Sequence, residues 1–438
     1  MLEQGDIAFA MEADSDDEDA EDDEIHPTDA LLVVAMTEDE FSHLEVQLLA
    51  EDGNMFVHHD IQLPEFPLCL AWLDCPPFLS AGEQQAVGNY IAVGSFNPAI
   101  EIWNLDVLDP LEPTAVLGGE ADTAELRGKQ GKRGKKGEKG RQGPALKDGS
   151  HGDAVMSLSW NKVYRQALAS GSADMTVKIW DVTTQKCSHT FRHHRDKVQC
   201  VLFHPDDAWL LATGAFDKSV ALLDCRSGAT SATYAVPADM ESMTWDPFQA
   251  NHLYTALEDG TVICIDRRQA DRPLFSFRAH EATCSSLSFS ASVPGFMCTA
   301  SVDQTVKAWD LAACQTGAAG APVEVAYKSM MVGKLFTLQF FCDNPFLLAT
   351  GGDAGLVAVW ESDEMDAIQK RFGGRVTERE NAYLALSGGG SSAAFAGAIS
   401  TEEDDSWMDE PSEPNPAAGA KVKKEKKIDR KKKAFKSV

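Results

Sequence analysis

Apolar and polar residues alternate along this chain in short runs, and the runs come in groups of four. In the clearest group, Val155 to Trp160 has a period of two and is followed by Ala169 to Ser172, Val177 to Trp180 and Gln185 to Phe191. A tight turn that contains Asp174 separates the second run from the third, as in a β-hairpin. A period of two places successive side chains on opposite faces of a strand. We therefore predict a sheet of four short strands here.

This group recurs along the chain at a nearly constant interval. The apolar residues that end the third run, Trp180, Leu223, Ile265 and Trp309, are 43, 42 and 44 residues apart, and Trp103 and Trp360 extend the series outward. Four-stranded units of this length are the blades of a β-propeller. We predict an all-β propeller with six blades between residue 67 and about residue 374.

Three further strand runs precede the first of these blades. They are Ala30 to Met36, Leu44 to Leu49 and Met55 to Leu63. A propeller has to pair its last sheet with its first, and N-terminal strands that complete the final blade protect the exposed edges. The expected fold therefore has seven blades, the seventh built mostly from these N-terminal strands.

Polar residues recur within the repeat at fixed positions. The first set is His151, Ser170, Asp174 and Trp180; the second is His194, Thr213 and Asp217, with Leu223 in place of Trp; the third is His280, Thr299, Asp303 and Trp309. His, Ser and Asp also form catalytic triads, but one active site needs one such set, whereas these residues recur from unit to unit. We predict that each set forms a buried hydrogen-bond chain that stabilises its blade, and that none is catalytic.

Composition indicates a protein of a reducing compartment. Hydrophobic residues make up 44% of the chain, no apolar run is long enough to span a membrane, and the first residues lack the features of a signal peptide. The ten cysteines include no Cys-x-x-Cys pair, and Cys200, Cys264 and Cys298 lie inside strand runs. We interpret them as buried free thiols of a cytosolic or nuclear protein.

The net charge of −29 conceals a strong segregation of charge. Residues 12–24 are almost wholly acidic, whereas residues 127–141 and 421–436 are strongly basic, and segments of this kind cannot bury enough apolar surface to fold alone. The predicted organisation is a disordered acidic tail at 1–27, the propeller at 28–375 with a disordered basic insertion at 118–150, and a disordered linker and basic tail at 376–438. Removing about 33 residues for the insertion restores the repeat interval between Trp103 and Trp180.

Several stretches resemble one particular family of repeat proteins. The recurring four-strand group resembles the repeat of WD-repeat propellers. Several stretches are also similar to the periodic tryptophan protein 1 family, namely residues 42–46, 56–61, 88–94, 100–106, 111–113 and 217–226. The resemblance covers about residues 27 to 375. Asn97 and Ala354 depart from the pattern where a turn Asp is expected. The chain also starts near the acidic tract, whereas the family begins with a longer region, so we expect either that the closing blade lacks a strand or that the gene model is short.

The resemblance implies a nuclear and nucleolar protein of ribosome production, associated with chromatin at ribosomal RNA genes and with processing of their transcripts. The residues themselves indicate a scaffold with two cationic arms and one anionic arm. From these we expect ribosome-assembly or chromatin proteins as partners, and neither a cofactor, a small-molecule substrate nor a membrane. A propeller can host catalysis around its channel, but no carboxylate pair, nucleophile motif or metal-binding spacing rises above the repeat pattern, so an enzyme ranks third among the interpretations.

Three charged segments carry further candidates. The cations of the insertion are spaced by Gly without aromatic residues, so we expect them to contact phosphates rather than to recognise bases. The alternative is a loop whose charge only aids solubility. The cations are Lys129, Lys132, Arg133, Lys135, Lys136, Lys139 and Arg141. A two-part cluster fits a nuclear localisation signal, or otherwise a bulk basic tail; it comprises Lys423, Lys424, Lys426, Lys427, Arg430, Lys431, Lys432 and Lys433. Ser15, before three carboxylates, is a phosphorylation candidate, with simple solvation as the alternative.

The remaining candidates lie within the repeats. Phe216, Arg195 and Lys197 flank the second polar set and are candidate partner contacts. Arg226 and Arg268 fit the Asp-x-Arg ending of substrate receptors of cullin-based ubiquitin ligases, in which Arg faces an adaptor protein; this is the alternative function. His58 and His59 are neighbours in a strand, so we expect their side chains to point apart and not to share a metal ion.

Overall fold

The computed structural model describes residue 25, residues 29–38, 41–50, 53–78, 87–121, 145–269, 272–315 and 321–377, and the backbone of a strand at 393–397. The chain divides into one unit at Met1–Thr401 and a second at Glu402–Val438, and the second lies outside the described residues. In the described ranges, no helix combines the length and the apolarity that crossing a bilayer requires.

Seven separate sheets confirm the prediction of an all-β, seven-bladed propeller. Blade 1 contains β4 (Pro67–Leu73), β5 (Tyr90–Ser95), β6 (Ala99–Asn104) and β7 (Ala115–Gly118). Blade 2 contains β8 (Val155–Trp160), β9 (Ala167–Ser172), β10 (Val177–Asp181) and β11 (Lys186–Phe191). Blade 3 contains β12 (Val198–Phe203), β13 (Leu210–Ala215), β14 (Ser219–Asp224) and β15 (Ala229–Ala235).

The next two blades repeat this arrangement, and the sixth departs from it. Blade 4 contains β16 (Met240–Trp245), β17 (His252–Leu257), β18 (Thr261–Asp266) and β19 (Phe275–Arg278). Blade 5 contains β20 (Cys284–Phe289), β21 (Phe296–Ser301), β22 (Thr305–Asp310) and β23 (Val323–Ser329), with the short helix α1 (Ala312–Gln315) between its last two strands. Blade 6 contains only β24 (Leu335–Phe340), β25 (Leu347–Gly352) and β26 (Val357–Glu361) among the described residues.

A helix follows blade 6, where the four-strand unit predicts an outer strand. After a 3-10 turn at Ser362–Glu364 the chain forms α2 (Asp366–Phe372) and a second 3-10 turn at Gly373–Arg375. Ile368 and Phe372 of α2 are fully buried, and the ring of Phe372 stacks on Phe296 of blade 5 at 4.2 Å between centroids. The expectation of four strands in this unit is therefore wrong, because the apolar residues here change from a strand spacing to a helical one.

Asp310, at the end of β22, fastens this helix to blade 5. Its carboxylate is 2% exposed and accepts hydrogen bonds from Arg371 Nε at 2.5 Å and from Arg375 Nη1 and Nη2 at 2.9 Å each. Burial alone would raise the pKa of the Asp310 carboxyl, but the two guanidinium groups hold that pKa below its usual value. The helix is thus held both by apolar packing and by a buried ion cluster.

Blade 7 closes the ring with three strands from the N-terminal part of the chain and one strand that follows blade 6. It contains β1 (Ala30–Glu38), β2 (Phe41–Leu49) and β3 (Met55–Leu63), paired antiparallel, and β27 (Ala393–Gly397), which pairs with β1 in parallel. The segment 376–438 was expected to be linker and tail, and 393–397 differs from that expectation. Its pairing with β1 supplies partners for the backbone groups along one edge of β1, at the place where a missing strand was one of the two alternatives.

Apolar layers between neighbouring blades form the core. The second strand of most blades is buried along its whole length, as in β13, β17 and β21, while the outer β11 is mostly exposed. Inner strands are also joined by hydroxyl groups: Ser157 Oγ accepts a hydrogen bond from Val201 N at 3.1 Å, and Ser286 Oγ accepts one from Leu338 N at 3.1 Å. The blades therefore form one rigid ring. All ten cysteines are free thiols, and Cys264 and Cys298 are buried.

Chain connections meet at two opposite ends of the ring, since successive strands are antiparallel. We call the end with the hairpin turns at 96–98, 173–176, 216–218, 258–260, 302–304 and 353–356 the turn face. The other end, with the loops at 161–166 and 204–209 and the turn at 225–228, is the loop face.

The basic insertion leaves the propeller at the turn face through a paired stem. Glu120 and Leu146 form an antiparallel bridge, and Ala121 N donates a hydrogen bond to Ala145 O at 2.7 Å. The described ends at 118–121 and 145–150 are therefore paired, although they fall within the segment expected to be disordered. Residues 122–144 lie outside the described residues.

Candidate interaction surface

The polar sets of blades 2 and 5 form continuous hydrogen-bond chains. His151 Nε2 lies 2.7 Å from Ser170 Oγ, His151 Nδ1 lies 3.1 Å from Asp174 Oδ2, and Trp180 Nε1 donates to Ser170 Oγ at 2.8 Å. Because a carboxylate only accepts, His151 Nδ1 carries the proton and Nε2 accepts from the Ser170 hydroxyl. Blade 5 repeats this geometry: His280 lies 2.8 Å from Thr299 Oγ1 and 3.0 Å from Asp303 Oδ2, and Trp309 Nε1 donates to Thr299 at 3.0 Å.

The turn aspartate connects two loops of the turn face. Asp174 also accepts hydrogen bonds from Gly152 N at 2.8 Å and from Thr176 N at 2.9 Å. Burial alone would raise the pKa of its carboxyl, but the hydrogen bonds from His151 and Thr176 hold that pKa well below its usual range. Burial lowers the pKa of His151 despite the opposing effect of Asp174, so this imidazole is neutral at pH 7. These residues therefore position the loops, and their polar atoms are occupied in doing so.

Blade 3 completes its chain with a residue that sequence analysis missed. Leu223 has no donor, and His193 Nε2 instead lies 2.9 Å from Thr213 Oγ1. His194 lies 2.9 Å from the same hydroxyl and 3.1 Å from Asp217 Oδ2. Burial and the neighbouring His194 lower the pKa of His193 to about 4. The available signal was the His-His pair here, where blades 2 and 5 have Ser-His and Ala-His.

Blade 4 shows what happens when the partners are missing together. It has Thr255 at the position of Ser170 and Ile265 at that of Trp180, and no His precedes its inner strand. Thr255 is fully buried, and its hydroxyl has no hydrogen-bond partner in the described part of the chain.

The turns of blades 6 and 1 differ from the pattern in another way. In blade 6, where Ala354 occupies the turn position, Asp353 Oδ1 instead accepts a hydrogen bond from Lys334 N at 2.6 Å. Asn97 Oδ1 of blade 1 accepts a hydrogen bond from Ala99 N at 3.1 Å.

The candidate partner residues lie beside the blade 3 chain on the turn face. Arg195 N donates to Asp217 Oδ2 at 2.9 Å, and Phe216 N donates to Lys197 O at 3.0 Å. The side chains of Arg195 and Lys197 are exposed, and Phe216 is half-buried. Among the described residues, neither cation forms an ion pair within 4 Å. Asp196 between them is also exposed, so this part of the turn face presents charges of both signs beside an aromatic ring.

A groove of about 440 Å³ lies on the same face beside the stem of the basic insertion. Phe96 and Pro98 of blade 1 line one side, Leu146 lines another, and Glu65 and Glu120 supply carboxylates. Phe96 is 54% exposed and contacts the ring of Phe66 at 5.4 Å between centroids. The turn face therefore combines a groove with two carboxylates at blade 1 with exposed charges of both signs at blade 3.

The two adaptor candidates differ in how their guanidinium groups are engaged. Arg268 closes on Asp266 with hydrogen bonds of 2.7 and 2.9 Å to its two carboxylate oxygens. Arg226 lies 3.5 Å from Asp224 and over the ring of Trp209, 5.6 Å from its centroid. Both are exposed on the loop face, at 62% for Arg226 and 64% for Arg268, but Arg268 is held by short contacts to its Asp whereas Arg226 is not.

The expectation that His58 and His59 point apart is wrong. A β-bulge makes His58 an extra residue, since Val46 pairs with His59 and Gln47 with Val57. The two Nδ1 atoms are therefore only 2.8 Å apart. Within the described residues, no three His, Cys, Asp or Glu side chains form a group that could hold a metal ion.

The candidates in the charged segments lie outside the described residues. These are the cations Lys129, Lys132, Arg133, Lys135, Lys136, Lys139 and Arg141, the localisation cluster from Lys423 to Lys433, and Ser15.

Comparisons with known proteins agree with this geometry. The family model described as WD domain, G-beta repeat, matches residues 146–181, 185–224 and 271–310, which carry the complete polar chains. An uncharacterized WD repeat-containing protein of Schizosaccharomyces pombe is 36% identical over 83% of this chain and 67% of its own length. The Drosophila melanogaster protein named periodic tryptophan protein 1 homolog is 30% identical over 82% of this chain and 73% of its own. Periodic tryptophan protein 1 of Saccharomyces cerevisiae is 29% identical over 84% and 68%.

Proposed function

Because the chain belongs to the periodic tryptophan protein 1 family of WD-repeat proteins, we propose that it is a non-enzymatic scaffold of ribosome biogenesis that acts in the nucleus, mainly in the nucleolus. The observation that carries the proposal is the similarity to the fly homolog along 82% of the chain, which is far more than the repeats alone. Its partners are ribosome-assembly or chromatin proteins.

A scaffold role agrees with the way the polar side chains are used. His151, Asp174 and Ser170 are engaged with one another and with loop backbone, and blade 5 has the same arrangement. They hold the loops of the turn face in place, so the surface is preorganised for partners. Arg195, Lys197 and Phe216 are the contacts that we assign to a protein partner there, because a cation beside an aromatic ring is typical of binding hot spots.

The basic insertion is proposed to contact ribosomal RNA or DNA without sequence preference. Its stem at Glu120 and Leu146 lies on the turn face, the face to which we also assign the protein contacts. Seven phosphate contacts contribute about −6 to the slope in a plot of log binding constant against log salt concentration on duplex DNA. A variant in which the seven cations of 129–141 are replaced by Gln keeps the length of the loop and is the matched control; its slope is expected to be smaller in magnitude by about 6. A slope near zero for the unaltered chain would contradict the mechanism.

Crosslinking and immunoprecipitation of the tagged full chain, with sequencing of bound RNA and DNA, tests the function. We expect enrichment of ribosomal DNA or pre-ribosomal RNA that falls in the Gln variant while protein level and Tm stay the same. No enrichment with either chain would refute the ribosomal role. Enrichment that is equal for both chains would keep the role but remove the insertion as its nucleic-acid contact.

The two tails are proposed to control location and charge. Deleting residues 421–438 is expected to leave the protein in the cytoplasm, since the cluster from Lys423 to Lys433 fits a nuclear localisation signal. Unchanged nuclear accumulation would contradict this. Phosphate at Ser15 would add about −1.5 to −2 charge to the acidic tract, and native protein that lacks it by mass spectrometry would remove this switch.

A further inference from the structure

Three neighbouring loops on the loop face expose a cluster of aromatic and aliphatic side chains. Tyr164 and Val163 belong to the β8–β9 loop of blade 2, and Trp209 belongs to the β12–β13 loop of blade 3. They are 37%, 57% and 36% exposed, and the rings of Tyr164 and Trp209 are 4.5 Å apart between centroids. Arg226, in the β14–β15 turn, lies over the Trp209 ring. We call these four residues the aromatic patch.

Buried hydrogen bonds hold the backbone of the aromatic patch in place. Asn161, 3% exposed, accepts from Val163 N at 3.0 Å and from Tyr164 N at 2.9 Å, and it donates to Ala208 O at 2.8 Å, directly before Trp209. Trp209 O in turn accepts from Cys225 N at 2.8 Å, directly before Arg226. One side chain and one peptide group thus join all three loops. A surface fixed in this way loses little conformational entropy on binding.

The charges around the patch distinguish between a nucleic acid and a polypeptide. Trp, Tyr and Arg are the residues most enriched in binding hot spots, and they also stack on bases. However, Asp224 lies 3.5 Å from Arg226, Asp207 lies 3.5 Å from Arg267, and Asp206 is exposed beside them. The patch therefore has no surplus positive charge for a phosphate backbone. This balance favours a polypeptide.

The comparison of Arg226 with Arg268 specifies the polypeptide further. The two occupy the same position in consecutive blades, but Asp266 takes up the donors of Arg268 in two short contacts, whereas Arg226 has one contact of 3.5 Å. The guanidinium of Arg226 can therefore still donate two hydrogen bonds to a carboxylate of a partner, as a bidentate pair. We propose that the aromatic patch binds a short segment of a partner protein that packs an aromatic or large aliphatic side chain on Trp209 and Tyr164 and pairs a carboxylate with Arg226. This site is separate from the turn face and does not depend on the ribosomal role.

A random dodecapeptide library displayed on phage, selected on the immobilised full chain, provides the probe. We expect a consensus with an aromatic or large aliphatic residue close to Asp or Glu. A fluorescein-labelled peptide of that consensus should bind with an affinity that falls at least tenfold for Trp209→Ala and for Arg226→Ala. Arg268→Ala, the matched control, should bind within twofold of the unaltered chain. Tyr164→Ala is the second variant if Trp209→Ala lowers Tm.

Several outcomes would overturn the proposal. The proposal would be refuted if the selection yields only peptides whose binding is unaffected by Trp209→Ala and Tyr164→Ala. It would also be refuted if Arg226→Ala and Arg268→Ala lower the peptide affinity equally. Binding of a uridine dodecanucleotide that Trp209→Ala abolishes would assign the patch to single-stranded RNA. A dimer that Trp209→Ala dissociates would assign it to a second copy, and peptide binding that appears only after residues 398–438 are deleted would assign it to the tail of the chain.

Discussion

Two threonines at equivalent positions are expected to respond in opposite ways to the same substitution. Thr299 and Thr255 both lie on the second strand of a blade, and both are fully buried. The Thr299 hydroxyl is bonded to His280 and Trp309, whereas the Thr255 hydroxyl has no hydrogen-bond partner in the described part of the chain. Val has nearly the shape of Thr without the hydroxyl, so Thr→Val isolates the hydrogen bonds.

The sizes of the two effects follow from the groups left behind. Thr299→Val leaves two buried ring nitrogens, His280 Nε2 and Trp309 Nε1, without partners, and each such group costs about 1–3 kcal/mol. The expected loss is about 2–6 kcal/mol. With an unfolding entropy of about 2.1 cal/mol/K per residue over roughly 350 residues, this corresponds to a fall in Tm of about 3–8 °C. Thr255→Val leaves nothing unpaired and removes a buried polar group, so its Tm should stay the same or rise.

Thermal unfolding of the three purified chains at pH 7.5, followed by circular dichroism and calorimetry, measures the difference. Thr213→Val of blade 3 is a useful third variant, since His193 and His194 both contact that hydroxyl, and it should resemble Thr299→Val. If Thr255→Val lowers Tm as much as Thr299→Val, the two sites do not differ in the way their contacts indicate. The assignment of the polar chains as stabilising units would then be refuted.

Three further substitutions test other parts of the molecule. Asp310→Ala leaves two partly exposed guanidinium groups without their buried carboxylate and should lower the unfolding free energy by about 1–3 kcal/mol, whereas Asp366→Ala, which removes an exposed ion pair, should change it by less than about 1 kcal/mol in the same urea titration. Burial, and then the charges of Glu258 and Asp239, raise the pKa of Glu241 from 4.5 to about 7. The contribution of Glu241 to the free energy of unfolding is therefore complete below pH 4.5 and is lost as pH rises through 7. Glu241→Gln should raise Tm at pH 8, where it adds up to roughly 3 kcal/mol to the free energy of unfolding, and should leave Tm unchanged at pH 4.5. His193→Ala should lower the free energy of unfolding by about 1–2 kcal/mol in the native chain. In a chain that also carries Leu223→Trp the loss should be much smaller, which a double-mutant cycle followed by Tm measures.

The number of blades and their polar chains could be predicted because both are encoded by spacing along the chain. A period near 43 residues and alternating burial specify a four-stranded unit, and the 23-residue separation of His151 from Asp174 recurs in blades 3 and 5. The helix after blade 6 leaves a weaker signal, since Ile368 and Phe372 are four residues apart in a short segment where strand and helix patterns overlap.

Features that depend on a neighbouring strand or blade could not be predicted in the same way. The bulge at His58 is defined by its pairing with β2, so the strand's own sequence contains no sign of it. Tyr164 and Trp209 come together only because blades 2 and 3 are adjacent, and the difference between Arg226 and Arg268 depends on whether an aromatic ring lies beneath the side chain. Such features require three-dimensional neighbours that are distant in sequence.

The position of β1 in the ring has a consequence for biosynthesis. Its residues Leu32, Val34 and Met36 pack against Phe341 and Leu347 of blade 6, which is synthesised roughly 300 residues later. At a translation rate of about 5–20 residues per second, this apolar face waits about 15–60 s for its partner. This face of β1 therefore stays uncovered until synthesis of blade 6 is complete, whereas its other face is covered much earlier by blade 1.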